Sequence, residues 1–65
     1  MQKKYDARAD AVYITLKKGK VYKTKKHGLC LVDYDKKGNA LGIEILNYSG
    51  KERPTAKEIR LALAA

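Results

Sequence analysis

Residues 29–46, LCLVDYDKKGNALGIEIL, form the densest apolar stretch of the chain and decide its predicted fold. Within this stretch, Asp35 can hydrogen-bond its own backbone, and Gly38 adopts positive φ without a Cβ clash. A three-residue loop of this kind joins two antiparallel strands. The stretch therefore predicts a β-hairpin in which Asp35 lies opposite Asn39.

The predicted turn also sets the pairing of the two strands. Paired residue numbers sum to 74, so Leu31 should face Ile43 and Leu29 should face Ile45. Because side chains alternate along a strand, each face takes every second residue, and a one-residue slip would exchange the faces. The predicted core face is mostly aliphatic: Leu29, Leu31, Asp33, Leu41, Ile43 and Ile45. The second face is mixed: Cys30, Val32, Tyr34, Ala40, Gly42 and Glu44.

The length of 65 residues indicates a single domain, residues 1–65, near the lower limit for a self-supporting core. Oligomerisation is a common remedy in such small chains, so we expect a homodimer. The single cysteine excludes an internal disulfide and favours a reducing cytoplasm. The N-terminal sequence MQKKYD lacks a secretory signal, and no apolar run reaches the ~18 residues of a membrane span. We expect a soluble, cytoplasmic protein without membrane association.

The remaining sequence predicts further strands before the hairpin. Residues 3–6 suggest a first strand, residues 6–10 a turn, and residues 11–16, AVYITL, an alternating strand. Lys17-Lys18-Gly19 then predicts a second hairpin with a lysine-rich edge strand over residues 20–26. The register of that hairpin stays open, because Leu16 pairs with Lys20 in a three-residue loop and with Val21 in a two-residue loop.

The C-terminal part changes character. Residues 47–54 are polar and form a predicted linker, and Thr55 with Glu58 fits a capping box at the start of a helix over residues 55–64. Its apolar stripe comprises Ala56, Ile59, Ala62 and Leu63. The predicted fold class is α+β: an antiparallel β-meander of four to five strands over residues 3–46, with one short C-terminal helix packed on the sheet.

Two motifs in this order resemble those of the prokaryotic domain-of-unknown-function family 2283. The first motif comprises Tyr5, Asp6, Ala9, Asp10, Ala11, Val12, Tyr13 and Ile14. The second comprises Val32, Asp33, Tyr34, Asp35, Gly38, Gly42, Ile43, Glu44, Ile45 and Leu46. The resemblance covers roughly residues 5–46 and implies a small β-rich domain without an assigned activity. It also implies an interaction role, since some members look like halves of small gene pairs.

No constellation in the sequence predicts catalysis, a metal site or a cofactor. His27 and Cys30 are three residues apart, so on an extended chain they would point to opposite faces unless Gly28 kinks the backbone. The carboxylates Asp33 and Glu44 do not converge in the predicted register. We therefore expect no enzyme activity, no catalytic or metal residues and no cofactor.

Two binding surfaces remain as hypotheses. The leading one is a non-catalytic protein-interaction module that uses the mixed sheet face, with these candidate residues: Cys30, Val32, Tyr34, Gly42 and Glu44. The alternative follows from the net charge of +8 and the pI near 9.8, which favour a polyanionic partner. It is sequence-independent nucleic-acid binding through a lysine-rich stretch interleaved with tyrosine. Its candidate contacts are Lys17, Lys18, Lys20, Tyr22, Lys23, Lys25 and Lys26.

Overall fold

A computed structural model describes residues 2–50 and 54–64 of the chain. The described residues form five strands and one helix: β1 Gln2–Asp6, β2 Ala11–Thr15, β3 Lys23–His27, β4 Cys30–Tyr34, β5 Ala40–Ile45 and α1 Ala56–Ala64. The strands form one antiparallel sheet in the order β1-β2-β5-β4-β3. The predicted α+β class, with a short C-terminal helix, is confirmed. Residues 51–53 of the predicted linker lie outside the described residues.

The central turn between β4 and β5 has the predicted form. The backbone N–H of Asp35 donates to the carbonyl oxygen of Asn39 at 3.0 Å, and Gly38 has a φ of 86°. One carboxylate oxygen of Asp35 accepts hydrogen bonds from the backbone N–H groups of Lys37 and Asn39, each at 2.9 Å. Asp35 therefore stabilises the turn, because the short Asp side chain can accept hydrogen bonds from nearby backbone N–H groups.

The predicted second hairpin, between β2 and the lysine-rich strand, is wrong. β2 pairs with β5, where Val12 lies opposite Ile45 and Ile14 lies opposite Ile43. The apolar residues of β2 are buried better there than beside a strand of lysines. Neither open register for Leu16 occurs, because its N–H donates to the carbonyl oxygen of Leu41 at 2.9 Å. β3 instead pairs with β4 and occupies the predicted edge of the sheet.

The predicted register of the central hairpin is wrong by one residue over most of its length. Tyr34 pairs with Ala40 as expected, but Asp33 then pairs with Gly42, which leaves Leu41 as an extra residue on β5. Such a β-bulge places two residues of one strand against one of the other and shifts all later pairs. Beyond the bulge, Val32 opposes Ile43.

The bulge exchanges the predicted faces of β4 and leaves those of β5 in place from Gly42 onward, while Ala40, predicted on the second face, packs against the core. The buried residues of β4 are Cys30, Val32 and Tyr34, whereas the predicted Leu29, Leu31 and Asp33 are only partly buried. On β5, the predicted core residues are confirmed as buried: Leu41, Ile43 and Ile45.

Helix α1 covers the sheet face that carries Val32 and Ile43. Ala62 is buried against this face, and Ile59 and Leu63 pack beside it. Three of the four predicted stripe residues thus meet the core, while Ala56 is exposed. The predicted cap is confirmed: the hydroxyl of Thr55 accepts a hydrogen bond from the N–H of Glu58 at 3.2 Å, and the Glu58 carboxylate accepts one from the N–H of Thr55 at 3.4 Å.

Asp10 ties the start of β2 to the segment that follows β5. Its carboxylate accepts hydrogen bonds from the hydroxyls of Tyr5 at 2.9 Å and Ser49 at 2.7 Å, and its carbonyl oxygen accepts one from the N–H of Tyr48 at 2.9 Å. The hydrogen bonds from Ser49, and then that from Tyr5, hold the pKa of Asp10 below its usual value. The folded chain therefore favours the ionised carboxylate.

We expect the free energy of unfolding to fall as the pH drops below about 4, and Asp10→Asn to remove part of this fall. A carboxyl with a depressed folded-state pKa stabilises the fold above its unfolded pKa, and this stabilisation is lost as the pH falls through the folded pKa. Urea titrations at pH 7, 5 and 3 would measure the effect. If the free energy of unfolding fell by the same amount with pH in the parent and in Asp10→Asn, the Asp10 carboxylate would contribute nothing to the loss of stability in acid.

Candidate functional site

The five residues of the predicted interaction face do not form one surface. Cys30, Val32 and Tyr34 are buried beneath α1, where they are part of the core. Gly42 and Glu44 lie on the opposite side of the sheet, since residues adjacent to the core residue Ile43 point away from it. We call that opposite side the open face, because no described helix covers it.

One row of paired residues crosses the middle of the open face. From β3 to β1 the row reads Lys26, Leu31, Glu44, Tyr13 and Lys4. The three central side chains are partly buried, and the two lysines at the ends are exposed. Among the described residues, the Glu44 side chain has no hydrogen-bond or ion-pair partner. The row therefore places a partly buried acidic side chain between an aliphatic and an aromatic neighbour, with a lysine at each end of the row.

The β1 side of the open face is concave. An open depression of about 490 Å³ lies there, and its lining residues are Lys4, Tyr5, Asp6, Ala7, Ala11, Tyr13 and Glu44. The lining combines one lysine with two carboxylates and two phenols. Polar side chains thus continue from Glu44 to the β1 edge of the sheet.

Asp33 connects three strands across the open face. The hydroxyl of Tyr13 on β2 donates to its carboxylate at 2.7 Å, and the hydroxyl of Thr24 on β3 donates to its other oxygen. The Tyr13 ring lies over Gly42, where an added Cβ would come within 2.2 Å of the phenol oxygen. Burial and the Asp33 carboxylate raise the pKa of Tyr13 to about 12. Gly42 is thus required for the close approach of Tyr13.

The candidate nucleic-acid contacts fall into two groups. Lys23, Lys25 and Lys26 lie on the edge strand β3, where consecutive side chains alternate between the two faces of the sheet. Lys25 lies over the ring of Tyr34, with its Nζ 5.9 Å from the ring centroid. The edge strand therefore spreads its charge over both faces and presents no single basic surface.

The second group contributes to a basic groove of about 570 Å³. One wall comes from the connection between β2 and β3, with Lys17, Gly19, Lys20, Val21 and Tyr22. The other wall comes from the central turn, with Asp35, Lys36, Lys37 and Asn39. Lys18 is exposed on the same connection but does not line the groove. The groove thus brings together lysines from two loops that are distant in sequence.

Lys36 and Lys37 line the groove but are not among the nucleic-acid contacts predicted from the sequence. A signal for them was present, because Lys-Lys-Gly occurs both at residues 17–19 and at residues 36–38. Among the described residues of the lining, Asp35 is the only one with a carboxylate. The hydrogen bond from the Asn39 backbone is the main cause that keeps its pKa below the usual value, and the positive charge of Lys17 acts in the same direction.

His27 and Cys30 are cross-strand neighbours in the structure. Gly28, with a φ of 61°, turns the backbone between them, so the two residues pair across the β3–β4 hairpin. Cys30 is fully buried, and burial raises the pKa of its thiol, with a further increase from the charge of Glu58. A protonated, inaccessible thiol is a poor nucleophile.

Metal-ion sites and membrane-spanning helices are both absent from residues 2–50 and 54–64. No group of three or more His, Cys, Asp and Glu side chains there is arranged to hold a metal ion. The one helix in these ranges, α1, is too short to cross a membrane.

Comparison with known proteins identifies a family and no individual relative. A family model described as "Protein of unknown function (DUF2283)" matches residues 3–49, which include all of the sheet except Gln2 and end before α1. No curated protein and no solved structure matches the chain significantly. The resemblance carried by the two motifs is confirmed, and the match covers well over half of the 65 residues. The chain belongs to the DUF2283 family of proteins of unknown function.

Proposed function

We propose that the chain is a non-catalytic protein-interaction module whose open face docks a second copy of the same chain. One observation carries this proposal: Glu44 is partly buried at the centre of the open face and has no ion-pair partner among the described residues. Desolvating a carboxylate is unfavourable unless a positive charge compensates it. The neighbours of Glu44 in the row are Leu31 and Tyr13, and neither carries a positive charge. A lysine of a second copy can supply that charge.

The order of residues in the row is self-complementary. A two-fold axis running along β4 would stack Leu31 of one copy on Leu31 of the other. The same rotation would place Glu44 of each copy opposite Lys26 of its counterpart, because β5 and β3 flank β4 on either side. Isologous contacts of this kind are the commonest basis of homodimers. Two sheets that pack face to face lie about 10 Å apart.

The strand order limits the size of such a contact. The molecule extends 34 by 21 Å in its two longest directions, which gives a face on the order of 700 Å². An axis along β4 superimposes β3, β4 and β5 of the two copies and leaves β1 and β2 outside, so roughly three fifths of the face, on the order of 400 Å² per partner, would be buried. Standard stable interfaces bury about 800 Å² per partner, so we expect a weak dimer that forms at high concentration. The proposal includes a cytoplasmic location, which the single free cysteine supports.

We expect the parent chain to be a dimer, and Glu44→Lys or Lys26→Glu alone to make it monomeric. Each single change sets like charges against each other across the contact, whereas the double variant restores two opposite pairs and should recover the dimer. Analytical ultracentrifugation over a range of concentrations would measure the mass. Lys57→Glu, on the exposed side of α1, is the control that changes charge elsewhere and should stay dimeric.

A monomer mass for the parent at high concentration would contradict the proposal, as would a double variant that stays monomeric. Circular dichroism of each variant would separate loss of the contact from loss of the fold. The family resemblance also suggests small gene pairs. Capture of a different protein that is abolished by Glu44→Lys, from a parent that does not self-associate, would assign the open face to that partner and refute the second-copy proposal.

Nucleic-acid binding is a second candidate function, and one observation favours it. The lysines at residues 17, 20, 36 and 37 line one groove although they come from two separate loops. A cationic groove attracts the phosphate backbone regardless of base sequence. The groove is formed at the loop ends of the strands, so this function would not compete with docking of the open face.

A further inference from the structure

We propose that the basic groove is a binding site for single-stranded nucleic acid, in which a base stacks on Tyr22 while the lysines contact the phosphates. This inference rests on the second candidate function and specifies its ligand and its site. It differs from the sequence-based hypothesis, because the edge strand β3 is not part of the site and the central turn is.

The positive charge of the groove is concentrated at its walls. Lys17 and Lys20 belong to one wall, and Lys36 and Lys37 belong to the other. A phosphate backbone running along the groove would be contacted from both sides. Each lysine that neutralises a phosphate releases a counterion, which makes the affinity dependent on salt.

Tyr22 supplies the aromatic surface that single-strand binding requires. Its side chain is 62% exposed, and the adjacent Val21 is 48% exposed. Its backbone N–H donates to the carbonyl oxygen of Tyr34 at 2.8 Å, so the exposed ring projects from a backbone that is anchored to the core strand β4. An exposed, anchored aromatic ring beside lysines is the usual combination for stacking unpaired bases.

Asp35 adds a negative charge to the groove wall that the central turn forms. Its carboxylate is ionised and repels phosphate, which favours phosphates at the lysines. The Asn39 amide already donates to Asp35 Oδ2 at 3.2 Å, so these two side chains offer acceptor oxygens to the N–H groups of a base edge. A volume of about 570 Å³ can hold an unpaired nucleotide, whereas a duplex keeps its bases inside the stack.

The test measures the affinity of the full chain for a labelled oligothymidylate of about 12 nucleotides, a length within the usual site size. Fluorescence anisotropy should show tighter binding of this single strand than of a duplex of equal length. Tyr22→Ala should weaken binding by about tenfold, while Tyr22→Phe keeps the ring and should bind like the parent. Comparing the two variants separates stacking from any effect on folding.

The contribution of charge is tested by matched substitutions. Lys20→Gln and Lys36→Gln should each reduce the salt slope of the affinity by about 0.7, the value for one single-strand phosphate contact. Lys3→Gln on β1 and Lys57→Gln on α1 remove the same charge at positions that do not line the groove. These two controls should keep both the affinity, within about twofold, and the salt slope of the parent.

The outcomes distinguish the groove from nucleic-acid binding in general. Absence of binding to either oligonucleotide at low salt would overturn both the site and the second candidate function. Binding that tolerates Tyr22→Ala, or that falls equally in the groove and control variants, would overturn the site and leave charge-driven binding standing. A preference for the duplex would also overturn the site.

Discussion

Val32→Ala is expected to lower the free energy of unfolding by about 2 kcal/mol, whereas Leu31→Ala is expected to lower it by less than about 1 kcal/mol. Val32 is 0% exposed and packs in the core beneath α1, while Leu31 is partly exposed on the open face. Leucine is the larger side chain, so the predicted sum-74 register would give the opposite order. The two adjacent positions therefore test the β-bulge directly.

Urea unfolding of the parent and both variants would measure these differences. The protein concentration should be kept low, so that self-association through Leu31 does not add to the measured stability. A domain of this length has a total stability of roughly 3–10 kcal/mol, so the effect of Val32→Ala would be a large fraction of it. A greater loss for Leu31→Ala than for Val32→Ala would show that the bulge is absent.

Asp33→Ala is expected to lower the free energy of unfolding by about 2–3 kcal/mol. The substitution leaves the hydroxyls of Tyr13 and Thr24 without their shared acceptor, and hydrogen bonds to a charged group contribute about 1.5–3 kcal/mol. Asp33→Asn retains a single carbonyl acceptor and should have an intermediate effect. Chemical denaturation of the three proteins at pH 7 would measure the series.

The link between Asp33 and Tyr13 can be isolated with a double-mutant cycle. Tyr13→Phe removes one hydroxyl and keeps the ring over Gly42. We expect the combined effect of Asp33→Ala and Tyr13→Phe to be about 1 kcal/mol smaller than the sum of the single effects, because both changes break the same hydrogen bond. Strict additivity would mean that the bond does not stabilise the fold.

The features that were predicted correctly are determined by residues close together in the chain. The central turn follows from Asp35 and Gly38, and the helix start follows from Thr55 and Glu58. In both cases a side chain satisfies backbone groups only two to four residues away. Such interactions do not depend on the rest of the fold, so the sequence alone was sufficient to find them.

The register of β4 and β5 could not be predicted in this way. A single extra residue, Leu41, reverses which residues of β4 are buried, and both alternatives offer apolar side chains to the core. The available cue was Gly42, since a glycine inside a strand often marks a bulge or a close approach. In this chain, Gly42 accompanies both features.

The pairing of β2 with β5 depends on distant parts of the chain. The turn sequence Lys17-Lys18-Gly19 favours a hairpin between β2 and β3. Burial of Val12 and Ile14 beside β5 is more favourable, so β2 pairs with β5 instead. The basic groove follows from this pairing, because it leads the connection after β2 past the central turn. The repeated Lys-Lys-Gly marks Lys36 and Lys37 in the sequence, but only the strand order shows that they line the same groove as the lysines after β2.

The strand order also has a consequence for how the chain folds. β1 with β2, and β3 with β4 and β5, are two units in which each strand pairs with its neighbour in sequence, and β2–β5 is the strand pairing that joins them. Long-range pairings of this kind form late, because loop closure must precede their contacts. The groove has one wall on the connection between the units and the other on the second unit. A ligand that contacts both walls would therefore stabilise the folded state, in which β2 is paired with β5, over a state in which the two units are apart.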